Sequence, residues 1–155
     1  MYGIKVKENH ESHTDECPGA PDVLTAADVP SPALADPSSV LVKLHAAGVN
    51  PIDTEVRKLN MYYPDKLPSI LGCDGVGVVE AVGGSVTRVR PGDEVFFFNN
   101  GLGGSPGTYA EYTVVRQEYP ALKPKNVSML EAAATTISST RKAKFVQSLG
   151  AGAGN

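Results

Sequence analysis

A glycine-punctuated apolar run constrains the fold of this chain more than any other segment. Residues 71–82 read LGCDGVGVVEAV. Glycines inside an apolar strand mark bends, bulges or places where another backbone comes close, so this run predicts a strand at a barrel corner. The turn sequences Gly83-Gly84-Ser85 and Pro91-Gly92-Asp93 follow it, before the apolar run at residues 95–98. Several short strands separated by turns at such intervals favour a sandwich or a barrel.

Two alternating segments predict further strands, at residues 40–45 and 109–115. Residues 2–6 also alternate and predict an opening strand. Residues 8–21 are polar and carry no periodic apolar set, so they are expected to form an exposed loop. His10, His13 and Cys17 in this stretch are residue types that bind metals, and a metal binder is the least favoured of the alternatives.

Two short helices are predicted from their end signals. Asn50 precedes a proline and acidic residues, which predicts a capped helix from Pro51 to Lys58. Ser128 and Glu131 match a capping box, which predicts a helix from Met129 to Ile137. A second C-terminal helix is predicted over residues 140–150, with three apolar side chains on one face: Phe145, Val146 and Leu149.

Composition excludes several classes of protein. A length of 155 residues is typical of about one domain, and 41% hydrophobic with 20% charged residues is ordinary globular usage. A net charge of −3 offers no broad basic surface for nucleic acid. The longest fully apolar run, Val95–Phe98, is far shorter than a membrane span needs. Cys17 and Cys73 match no disulfide or zinc pattern, which favours free thiols in the cytoplasm.

The polar group Asn50, Asp53 and Thr54 is the most promising candidate for chemistry. It lies at a predicted strand-to-helix corner, and a carboxamide there can bind a carbonyl, a ribose or another carboxamide. The alternative is that Asn50 is an ordinary helix cap and Asp53 a surface acid near the helix dipole. No glycine segment has the GxGxxG spacing that cradles a pyrophosphate, because Glu80 and Pro106 stand where third glycines would be needed.

Five ordered blocks carry a resemblance to a known family: VLVKLHAAGVNPIDTEVR, LPSILGCDGVGVVEAVG, VRPGDEVFFF, GTYAEYTVV and SMLEAAATT. Together they resemble the N-terminal GroES-like domain of medium-chain dehydrogenase/reductases, in the zinc-independent quinone oxidoreductase (zeta-crystallin-like) branch. The resemblance covers residues 2–136. It implies a mainly β fold, a partly open GroES-like barrel with short helices and a C-terminal helical remnant.

The resemblance also implies that the chain has no metal site. Zinc-using members of the family have a cysteine in place of Asn50 and a His-Glu pair in place of Cys73-Asp74. They also carry a four-cysteine zinc loop, whereas residues 99–107 of this chain contain no cysteine. Asparagine is a poor zinc ligand beside thiolate and imidazole.

By resemblance, the catalytic residues are Asn50, Asp53 and Tyr62, with Tyr63 as the alternative tyrosine. Thr135 or Thr136, at the end of the AAATT block, is expected near the nicotinamide. Glu55 departs from the family, since many quinone oxidoreductases have an aromatic residue there. The segment SSTRKAKFVQSLGA resembles the part of a dinucleotide domain that receives the 2′-phosphate of NADPH, which makes cofactor-binding candidates of Ser138, Ser139 and Arg141.

The resemblance predicts residues 1–137 as the catalytic domain and 138–155 as the remnant of a deleted dinucleotide-binding domain. The parent function is NADPH-dependent reduction of a quinone or enone without metal, in the cytoplasm, as a monomer or a homo-oligomer. Because the glycine fingerprint is missing, this chain is expected to bind NADPH weakly or not at all and to be inactive alone. The alternative is a non-catalytic interaction module whose helical C-terminal segment docks onto a partner.

Overall fold

The computed structural model describes residues 9–15, 18–59, 69–99 and 106–135. This part of the chain contains strands, two α-helices and one 3-10 turn at Pro21–Val23. The strands are β1 (Asn9–Asp15), β2 (Leu24–Pro30), β3 (Ser39–Gly48), β4 (Ser69–Ile70), β5 (Asp74–Val82), β6 (Glu94–Phe98), β7 (Tyr112–Arg116) and β8 (Ala121–Leu122). The helices are α1 (Pro51–Leu59) and α2 (Met129–Thr135).

The strands form two antiparallel sheets. The larger sheet has five strands in the order β7-β3-β5-β6-β8, and the smaller has three in the order β2-β1-β4. In the described residues β7 and β8 lie at opposite edges of the larger sheet and do not pair, so that sheet is not closed. The predicted mainly β class, with a partly open barrel, is confirmed.

The core lies against the larger sheet because alternate side chains of its strands point to one face. Its main cluster of buried residues combines side chains of β3, β5, β6 and β7: Val40, Val42, Val79, Val95, Phe97 and Val115, with Val89 beside them. The neighbouring Phe98 points the other way and is 44% exposed. This alternation fixes the register of the sheet, since a shift by one residue would expose the whole set.

The predicted bends in the glycine run lie where β3 crosses β5. The register shifts between Leu41 and Val42 and again between Leu44 and Ala46. Gly77 pairs with Leu44, and a Cβ atom at position 77 would collide with the backbone of Lys43. Glycine therefore allows the close backbone approach that bends this pair of strands.

The prediction of a loop over residues 8–21 is wrong for residues 9–15, which form β1. This strand pairs with β2 over its full length, from Asn9 opposite Pro30 to Asp15 opposite Leu24, and its end also pairs with β4. Backbone hydrogen bonds to two neighbours hold it, which does not require the apolar alternation that the prediction relied on. The predicted strand at residues 2–6 lies outside the described residues.

Both helix predictions are confirmed in type and start. α1 begins at Pro51 and runs one residue further than expected. α2 begins with the predicted capping box: Ser128 Oγ accepts from the amide of Glu131 at 3.2 Å, and Glu131 Oε2 accepts from the amide of Ser128 at 2.8 Å. The described part of α2 ends at Thr135, and the predicted helix over 140–150 lies outside the described residues.

Candidate functional site

The site begins with the pairing of β3 and β5, which brings Asn50 beside Asp74. Gly48, the last residue of β3, pairs with Asp74, the first residue of β5. The chain then turns into α1, and Asn50 lies at this corner. Its side-chain Nδ2 donates to Asp74 Oδ2 at 2.8 Å, and the two residues are 9% and 3% exposed.

The hydrogen bond to Asp74 sets which way the Asn50 carboxamide faces. An ionised carboxylate can only accept hydrogen bonds, so the amide nitrogen of Asn50 lies toward Asp74. Among the described residues, the second N–H and the Oδ1 atom of this side chain have no hydrogen-bond partner. The carboxamide therefore retains one donor and one acceptor for a ligand.

The side chain of Asp53, rather than that of Asn50, secures the start of α1. Asp53 Oδ2 accepts from the backbone amide of Asn50 at 2.7 Å, and the Asp53 amide donates to the Asn50 carbonyl at 3.1 Å. The interpretation of Asn50 as a side-chain cap is wrong, because its carboxamide is bound to Asp74. Asp53 is 4% exposed, so the alternative of a surface acid is wrong as well.

Tyr109 completes the site from a distant part of the chain. Its hydroxyl donates to Asp53 Oδ2 at 3.0 Å. Its backbone amide donates to the Leu71 carbonyl at 2.9 Å, which holds the residue next to the glycine run. Burial raises the pKa of Tyr109, and the negative charge of Asp53 and the hydrogen bond to it raise it further. Tyr109 therefore stays protonated and acts as a donor.

Asn50 and Asp74 line a cavity of about 380 Å³. Leu130 and Ala133 of α2 form its opposite wall, and Val49 lies at its edge. Val49 is 76% and Leu130 70% exposed, so two apolar side chains flank the polar pair. A second cavity of about 530 Å³ also borders Val49 and is lined by the Tyr109 ring with Leu24 and Leu44.

The structure brings together some of the predicted site residues and adds two. Asn50 and Asp53 meet as expected, whereas Asp74 and Tyr109 were absent from the predicted set. Both stand in blocks that carry the resemblance, and Asp74 occupies the glutamate position of the zinc-using members. That alignment, together with the aromatic residue in GTYAEYTVV, was the available signal. The carboxylate of Glu55 points away, on the exposed side of α1.

The remaining predicted residues lie at or beyond the limits of the described chain. Thr135 ends α2, the helix that lines the cavity. The other candidates lie outside the described residues: Tyr62, Tyr63, Thr136, Ser138, Ser139 and Arg141. Their roles stay predictions.

Two negative findings apply to the described residues. They contain no group of three or more His, Cys, Asp or Glu side chains placed to hold a metal ion. The donors around Asn50 are amide and carboxylate groups, which do not match the thiolate and imidazole set of catalytic zinc in the related enzymes. Within the same residues, no helix has the length and apolar character required to cross a bilayer.

Comparison with known proteins identifies the family. Residues 36–125, more than half of the chain, match the family described as "Alcohol dehydrogenase GroES-like domain". A quinone oxidoreductase of Sus scrofa is 37% identical over 120 residues, covering 77% of this chain and 35% of that protein. A 2-methylene-furan-3-one reductase of Solanum lycopersicum is 40% identical over 129 residues, covering 79% of this chain and 32% of that protein.

Solved structures agree with the sequence relatives. The Escherichia coli quinone oxidoreductase, complexed with NADPH, matches with a TM-score of 0.70 and 31% identity, over 80% of this chain and 36% of that one. The chain spans about a third of the length of the curated relatives it matches. By sequence and by fold, the chain therefore belongs to the alcohol dehydrogenase GroES-like domain family, within the medium-chain dehydrogenase/reductases.

Proposed function

We propose that this chain is the substrate-binding, catalytic domain of a zinc-independent, NADPH-dependent quinone or enone oxidoreductase. The observation that carries the proposal is the Asn50 carboxamide, which is held by Asp74 and faces a cavity with an unused N–H. A fixed N–H donor can bind a carbonyl oxygen and stabilise the negative charge that develops there during reduction.

The division of labour in the reaction follows from the described residues. The nicotinamide cofactor, when bound, supplies the hydride. Asn50 orients and polarises the carbonyl, while the apolar side chains of Val49 and Leu130 pack against the substrate body and exclude water. A quinone or enone has this combination of an apolar body with a carbonyl acceptor, and the names of the relatives from Sus scrofa and Solanum lycopersicum support that class.

Zinc independence is supported by the chemistry of the donors. Asn50 stands where zinc-using members have a cysteine, and its amide nitrogen is committed to Asp74. A carbonyl in this cavity is therefore polarised by a hydrogen bond instead of a Lewis acid. Cys73 is buried as a free thiol beside Asp74 and lies outside the lining of the cavity.

The cofactor assignment rests on the relative from Escherichia coli, which is complexed with NADPH. We propose Thr135, Thr136, Ser138, Ser139 and Arg141 as the residues of this chain that face the cofactor. Residues 1–137 are assigned to the catalytic domain and 138–155 to the remnant of the dinucleotide-binding domain. A cytoplasmic location, with a monomer or a homo-oligomer as the assembly, completes the proposal.

A binding experiment tests the carbonyl site without requiring turnover. Tetramethyl-p-benzoquinone is a suitable probe, because its ring carbons are fully substituted and resist addition of cysteine thiols. We expect titration to shift the amide NMR signals of Val49, Asn50, Asp74 and Leu130, and Asn50→Ala to weaken binding by about tenfold, the equivalent of one hydrogen bond. Asn126→Ala, at an exposed site far along the chain, is the matched control. Shifts confined to other surfaces, or equal affinity in both variants, would refute the proposal.

A further inference from the structure

The corner that carries Asn50 has little apolar packing of its own. The preceding residue, Val49, is 76% exposed, and the following residue, Pro51, is also exposed. An asparagine just before a helix ordinarily turns its side chain onto the free amides of the first turn. Some other interaction must therefore hold Asn50 in place and keep its carboxamide away from the helix.

Three hydrogen bonds perform this task, and each reaches Asn50 from a different element. Asp74 of β5 binds the carboxamide at 2.8 Å. Asp53 of α1 binds the backbone amide at 2.7 Å, which replaces the cap that Asn50 would otherwise supply. Tyr109, from the segment before β7, binds the same Asp53 oxygen at 3.0 Å. The backbone and the side chain of Asn50 are thus held by separate carboxylates.

The Tyr109 hydroxyl determines whether Asp53 can do this. Asp53 is 4% exposed, and a buried carboxylate is costly unless donors surround it. Among the described residues, its side chain accepts from two groups, the Asn50 amide and the Tyr109 hydroxyl. Without the hydroxyl, the carboxylate would gain by rotating toward solvent, and the Asn50 amide would lose its acceptor.

We propose that Tyr109 and Asp74 are positioning residues for Asn50. Tyr109 acts through Asp53 on the backbone of Asn50, and Asp74 acts directly on its carboxamide. The functional meaning of this arrangement rests on the proposed function, because it prepares the free N–H of Asn50 for a carbonyl. The arrangement itself can be tested without any ligand.

Hydrogen exchange of the Asn50 backbone amide measures the Tyr109 contact directly, since the exchange rate reports local opening. We expect Tyr109→Phe, which keeps the ring, to speed this exchange about tenfold while the core amides of Thr113 and Val115 are unchanged. Tyr119→Phe removes a hydroxyl outside the site and serves as the control. Equal acceleration at all amides, or none at Asn50, would overturn the proposal.

A double-mutant cycle tests the route through Asp53. In an Asp53→Ala background, Tyr109→Phe should change the Asn50 exchange rate by less than twofold, because the acceptor that links them is gone. If Asp53→Ala does not fold, Asp53→Asn replaces it. The asparagine retains an acceptor oxygen, so the full effect of Tyr109→Phe should return. An undiminished effect in the alanine background would overturn the route.

Asp74→Asn tests the contact with the carboxamide. An amide at position 74 can donate or accept, so it no longer dictates the orientation of Asn50. We expect exchange of the Asn50 side-chain amide protons to accelerate about tenfold, with the backbone amide of Asn50 unaffected. An unchanged side-chain rate would exclude Asp74 from this role.

Titration of the same variants with tetramethyl-p-benzoquinone separates this inference from the proposed function. Coupled exchange without quinone binding would refute the function and leave the positioning intact. Quinone binding without coupled exchange would do the reverse.

Discussion

At the scale of single residues, Gly72 decides how the glycine run meets the segment that carries Tyr109. Its φ is +94°, in the region that favours glycine. The amide of Thr108 donates to the Gly72 carbonyl at 3.1 Å, so the two segments lie side by side. A Cβ atom at position 72 would come within 2.6 Å of Tyr109 Cδ1 and would also meet the Thr108 hydroxyl. Backbone conformation and packing both require glycine here.

Gly92 provides a matched control for the two requirements. Its φ is +93°, and a Cβ atom there would meet nothing within 4 Å. It occupies the third position of a turn closed by the Asp93 amide on the Arg90 carbonyl at 3.1 Å, the place where a type II turn needs glycine.

We predict that Gly92→Ala lowers the free energy of unfolding by about 1–2 kcal/mol, the cost of the backbone conformation alone. Gly72→Ala should add an overpacking cost of about 1–3 kcal/mol. Urea unfolding of both variants measures the difference. Equal losses would mean that Tyr109 yields freely and that the contact with Gly72 does not position it.

At the scale of elements, α2 forms one wall of the cavity, and its capping box makes that wall sensitive to pH. The backbone amide of Ser128 lowers the pKa of Glu131, and the Ser128 hydroxyl lowers it further. A carboxyl whose pKa is lower in the folded state stabilises it above the ordinary pKa of glutamate. That stabilisation is lost as the pH falls through the lowered, folded-state pKa.

We predict that the first turn of α2 frays as the medium is acidified below the ordinary pKa of glutamate, and that Glu131→Gln removes this pH dependence. The helical chemical shifts of Leu130, Glu131 and Ala132 measure the fraying. Glu55→Gln, on the exposed side of α1, is the control. If Glu131→Gln frays with the same pH profile as the parent chain, the capping box is not the cause.

At the scale of the whole molecule, the described fold provides a substrate cavity but the sequence provides no pyrophosphate cradle. The chain spans about a third of the length of its curated relatives. Neither glycine segment checked, at residues 75–80 and 101–106, has the GxGxxG spacing. Carbonyl binding and cofactor binding therefore make separate demands on this chain.

We predict that the 155-residue chain shows no measurable NADPH oxidation with a quinone, because nothing in it cradles the cofactor phosphates. The absorbance of NADPH measures turnover, with the quinone oxidoreductase of Sus scrofa as the active control. Robust turnover that disappears in Asn50→Ala would contradict this expectation while supporting Asn50 as the carbonyl donor.

Local patterns were sufficient to predict much of the fold. The alternation around Val40–Leu44, the Pro91-Gly92 turn and the Ser128–Glu131 capping box each depend on neighbouring residues, and each is confirmed. β1 was missed because its polar residues carry no alternation. Its partners, β2 and β4, are separated from it along the chain and hold it through backbone groups.

By itself, the sequence determined the family, the mainly β class and the presence of Asn50 and Asp53 at a strand-to-helix corner. Only the tertiary structure decided what those side chains do. Asn50 meets Asp74 across 24 positions of sequence, and Asp53 meets Tyr109 across 56. A helix cap and a ligand-binding carboxamide share the same local pattern. The contacts that separate them form only when the sheet brings β5 and the Tyr109 segment to the start of α1.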